Sequence, residues 1–172
     1  MPRLFSAKVI LYFLFLIVLD GAILPVFHIA SVFPSFLYLF VCYTAFEWGP
    51  QKTVYIAFWA GLARDLLGGG MIGVEATGLV ALALGLDFLV QKMEREFPGM
   101  YWMITFLFVF FAGILRLFLG FPDELSSSVA GEYLGMITLA ALYSSLVLPV
   151  FYFLTNRWFG QFTGKQYELF RS

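Results

Sequence analysis

From Val9 to Leu154 the chain is a succession of apolar runs, interrupted only by brief clusters of Gly, Pro and charge. That spacing constrains the fold more than any motif does, because about 20 apolar residues are what a helix needs to cross the hydrocarbon core of a bilayer. Ending each run at charges or helix breakers gives six candidate spans, at residues 9–27, 34–46, 53–67, 77–90, 100–119 and 129–154. Composition agrees: of 172 residues, 62% are hydrophobic and 12% charged, and the mean hydropathy is +0.90. Since an ordinary soluble domain carries about a quarter charged residues, lipid must be the solvent for most of this chain. The expected architecture is an all-α integral membrane protein with six transmembrane helices in one transmembrane domain, residues 1–172, of which 155–172 form a cytoplasmic tail.

Helix-breaking chemistry sets the divisions. Pro34 suits the first turn of the second span, Glu47-Trp48-Gly49-Pro50-Gln51-Lys52 separates the second from the third, and Gly68-Gly69-Gly70 ends the third. Short connections force neighbouring spans to run antiparallel. Six crossings then put Arg3, Lys8, Lys52, Lys92, Arg95, Arg157, Lys165 and Arg171 on one face, eight of the ten positive residues, and leave Arg64 and Arg116 toward the other. Lys and Arg favour the cytoplasmic side, so both termini are expected in the cytoplasm. Trp48, Trp102 and Trp158 fall at that same boundary, where an amphipathic indole prefers to sit. The N-terminal run exceeds a signal-peptide core and no A-x-A pattern follows it, so it is read as a retained span.

Several function classes lack their parts. A formal charge of -1 offers no basic field for nucleic acid. Cys42 and His28 are single, which excludes an internal disulfide and any site built on two His ligands, and no cofactor is expected. Gly68-x-Gly70-x-x-Gly73 matches the dinucleotide fingerprint in letters, but a membrane span precedes it where a strand is needed. Gly68, Gly69, Gly70 and Gly73 are therefore read as a hinge between spans three and four. No G-x-S-x-G, H-E-x-x-H or Walker lysine motif occurs, so catalytic residues are not assigned.

Charges inside spans are the informative exceptions, since each costs about 2.5 to 3.5 kcal/mol at mid-helix unless paired or hydrated. Asp20, Arg64, Asp65, Arg116 and Glu132 share one depth near the outer face, suggesting an intramembrane polar layer. Arg116 is expected to pair with Glu132 across the last hairpin, and Arg64 with Asp20 or Asp65; Glu75, Asp123 and Glu124 fall in outer connections. Asp87, one turn from Lys92, reads as an interfacial carboxylate. Small residues four apart let helix backbones approach closely, and they occur at Ala57 and Gly61, Ala81 and Gly85, and Gly131 and Gly135.

Trp48-Gly49-Pro50, then Gly61-Leu62-Ala63-Arg64-Asp65-Leu66, then Gly69, Gly73 and Gly78 resemble the MreD family of rod shape-determining membrane proteins. Pro34 at the second span, the short second and third spans, and Pro149 followed by Asn156-Arg157 are similar to that family's layout. The resemblance implies a non-enzymatic subunit of the bacterial elongation machinery that supports peptidoglycan synthesis and cell shape. Its implied partners are an MreC-like membrane protein and, through it, a RodA-type glycosyltransferase, a penicillin-binding transpeptidase and MreB. Ala57, Gly61 and Asp65 are the partner-contact candidates, because their span is short and carries the family-like motif. The family is similar in architecture to the six-helix substrate-binding components of energy-coupling-factor transporters, which supply the alternative function. An intramembrane lipid-modifying enzyme is a third reading, without a recognisable nucleophile and base.

Overall fold

A computed structural model describes residues 7–23, 34–68, 72–92, 99–120 and 127–159. Six helices occupy them: α1 Ala7–Val18, continued by one π-helical turn at Leu19–Ile23, α2 Phe36–Glu47, α3 Pro50–Gly68, α4 Val74–Lys92, α5 Met100–Gly120 and α6 Ser127–Phe159. Every residue of α2 from Leu37 to Phe46 is buried. A helix that is apolar all round has no face to offer water and belongs inside a bundle. The other five surround it: α3 packs on α4, α4 on α5 and α5 on α6, while α2 touches all of them. Tyr12 of α1 joins the ring to α6 by bonding Thr155 at 2.7 Å and packing against Trp158 and Phe159.

Among the described residues, three helices are long and apolar enough to cross a membrane: Val74–Lys92, Met100–Phe118 and Gly131–Phe159. α2 has 12 residues, about 18 Å against a hydrocarbon core of about 30 Å. α3 has 19 residues, but Lys52, Arg64 and Asp65 keep it less apolar.

The helices overrun several expected limits for local reasons. α3 begins at Pro50 rather than Thr53, because proline needs no N–H partner at a first helical position and Gly49, with φ of 79°, makes the turn before it. α4 begins at Val74 rather than Thr77, directly after Gly73 with φ of 98°. α6 passes through Pro149 and beyond Leu154 to Phe159, so residues 155–159 belong to the bundle, with Thr155 and Phe159 buried in it, rather than to a tail. The later part of the first span, Gly69, Gly70, His28 and residues 160–172 lie outside the described residues.

Close approach is concentrated at two glycines. A Cβ at Gly61 would lie 2.3 Å from the Cα of Ala76, so α3 and α4 meet backbone to backbone. One at Gly113 would lie 2.6 Å from Ile137 Cγ2, which sets the register of α5 on α6. The bundle thus acquires two unlike ends. One carries Asp20, Arg64 and Glu75; the other is aromatic, with Trp48, Tyr101, Tyr152 and Phe159 in mutual contact or sharing neighbours.

Candidate functional site

At the polar end two aspartates perform the same task. Asp20, in the π-helical turn after α1, accepts hydrogen bonds from the backbone N–H of Phe36 at 2.8 Å and of Leu37 at 3.3 Å, and from Ser35 Oγ at 3.1 Å. Asp65, near the end of α3, accepts from the N–H groups of Gly73 at 2.8 Å, Glu75 at 3.0 Å and Ala76 at 3.2 Å. The first N–H groups of a helix lack partners within it and carry the positive end of its dipole. Each carboxylate therefore caps the helix that follows: Asp20 caps α2, and Asp65 caps α4. Ser35, at the N-cap position of α2, makes no cap bond of its own, which leaves its hydroxyl free for other partners.

Between the two caps lies Arg64, whose guanidinium is anchored on three sides. Its Nη1 donates to Ser35 Oγ at 2.7 Å, its Nε donates to Glu75 Oε1 at 3.1 Å, and its Cζ sits 4.4 Å over the ring of Tyr38. The phenol of Tyr38 also donates to Glu75 Oε1, at 2.8 Å. Arg116 of α5 reaches the same oxygen at 3.9 Å, with its side chain 44% exposed. Glu75 is thus the hub of a network that runs from Asp20 and Ser35 through Arg64 and Tyr38 to Arg116, tying α1 to α5 at one level. Charge-assisted bonds of this kind are strong in a low-dielectric setting, and a member left unpaired there is costly.

The structure brings together four of the five expected polar-layer residues: Asp20, Arg64, Asp65 and Arg116. It does not bring in Glu132, which is exposed on α6 and forms no ion pair among the described residues. Arg116 turns to Glu75 rather than across the hairpin to Glu132, because Glu75, half-buried and already paired with Arg64, offers a second cation a preformed carboxylate. Arg64 and Asp65, adjacent in sequence, do not pair with each other, since neighbours on a helix do not share a face: Arg64 reaches the Glu75 carboxylate, and Asp65 the N–H groups at the start of α4. Asp87 also departs from expectation: it is buried and accepts from Gln91 Nε2 at 2.8 Å, while the Lys92 ammonium lies 5.4 Å over the Phe88 ring.

Glu75, Ser35 and Tyr38 are the members that sequence reading misses. Beginning the fourth span at Thr77 leaves Glu75 in a connection; recognising Gly73 as the turn would have placed it in the first helical turn, where acids are favoured.

Small-residue faces divide into inner and outer ones. Ala57 and Gly61 are fully or nearly buried, and Gly61 is pressed on α4, so this candidate contact face is already occupied within the chain. Ala81 and Gly85 on α4, and Gly131 and Gly135 on α6, are exposed, and a Cβ at any of these three glycines would meet nothing within 4 Å.

Residues 2–157 match the family model described as rod shape-determining protein MreD, nearly the whole chain. No curated protein and no solved structure matches it.

Proposed function

Since the chain belongs to the MreD family of rod shape-determining proteins, we propose that it is a non-enzymatic scaffold subunit of the bacterial cell-elongation complex, spanning the inner membrane six times with both termini cytoplasmic. It binds the transmembrane segment of an MreC-like partner and, through that partner, supports the RodA-type glycosyltransferase, the penicillin-binding transpeptidase and MreB in peptidoglycan synthesis. One observation carries this reading. The charged groups at the polar end are spent on capping α2 and α4 and on joining helices to one another, which leaves helix faces as the surfaces with which the protein can act.

Of those faces, the start of α6 is the best suited to another helix. Gly131 and Gly135 present open backbone one turn apart, and Glu132 beside them is exposed and unpaired among the described residues. Small residues permit the close van der Waals packing on which helix association in lipid depends, and a partner's cation or hydroxyl would satisfy the carboxylate. The earlier candidate pair, Ala57 and Gly61, serves instead to hold the fold that presents this face.

Co-purification tests the reading. Gly135→Leu should abolish recovery of an MreC-like partner while the protein stays monodisperse, and Gly85→Leu should leave recovery intact. The opposite pattern would move the interface to α4. Recovery of a stoichiometric small molecule and an ATPase module, with no MreC-like partner, would replace the scaffold by the transporter component. Orientation is read from cysteines placed at Ser127 and Lys165 in a chain lacking Cys42: the first should label from outside and the second from inside.

A further inference from the structure

We draw no further inference here: the strongest candidate, the apolar groove between α1 and α3 lined by Val9, Phe13, Ile17, Ile56, Trp59 and Ala63, carries nothing, because nothing in the structure shows what covers it.

Discussion

Adding one methyl group at Gly61 should damage this protein more than adding one at any exposed glycine, and by an amount the geometry allows to be worked out. The new Cβ would lie 2.3 Å from Ala76 Cα, 2.7 Å from Ala76 N and 2.8 Å from Glu75 O. Carbon atoms pack at about 3.5 to 4.0 Å, so the start of α4 must retreat by roughly 1.2 Å or more. That same stretch of backbone is held by Asp65 through three bonds of 2.8, 3.0 and 3.2 Å. A retreat of this size takes at least one of them beyond hydrogen-bond range. Overpacking at about 1 to 3 kcal/mol, with one lost bond to a charged group at about 1.5 to 3 kcal/mol, puts Gly61→Ala near 3 kcal/mol or more. Gly85→Ala is the matched comparison, since its Cβ meets nothing within 4 Å and alanine raises helix propensity there by up to about 1 kcal/mol. The two substitutions therefore act with opposite sign. Heating each purified protein in detergent and measuring the monodisperse fraction by size-exclusion chromatography should show a midpoint about 6 to 12 °C lower for Gly61→Ala and unchanged or slightly higher for Gly85→Ala. A Gly61→Ala protein as stable as the unaltered chain would refute the close crossing of α3 and α4, and with it the assignment of Ala57 and Gly61 to internal packing.

The polar end yields three further expectations. Asp65→Ala leaves the Gly73, Glu75 and Ala76 N–H groups without their acceptor and should cost about 1.5 to 3 kcal/mol in the same assay; no loss would mean that α4 is capped otherwise. Arg64→Leu and Glu75→Leu should each destabilise more than the double substitution, because removing one partner strands the other in a low-dielectric site, and simple additivity would rule out their coupling. Arg116→Leu should be milder than Arg64→Leu, given its half-exposed side chain and 3.9 Å separation, and adding Glu132→Leu should change stability independently. Rescue of Arg116→Leu by Glu132→Leu would restore the pairing across the last hairpin.

What the sequence determines by itself follows from quantities that need no neighbours. Run length and polarity set the helical character of the chain and the approximate position of every described helix, because backbone groups in an apolar medium must bond within their own segment. Even the central place of α2 is latent in residues 36–47, which offer no polar face from Leu37 to Phe46. Helix ends are read less well where the deciding residue is a turn glycine, as at Gly73, and that error of one turn conceals Glu75. Pairing is a different kind of information. Asp20, Arg64, Asp65 and Arg116 can be placed at one depth from spacing alone, but depth does not say which face of which helix meets which, and several pairings satisfy the same count of charges. The crossing at Gly61 and Ala76 decides it, by bringing the start of α4 onto Asp65 and carrying Glu75 between Arg64 and Arg116. The same contact turns Ala57 and Gly61 inward, while Gly131 and Gly135 remain outside, although all four carry the same sequence signal. Small residues make close approach possible to any helix, and only the packed bundle decides whether the helix that approaches is the chain's own.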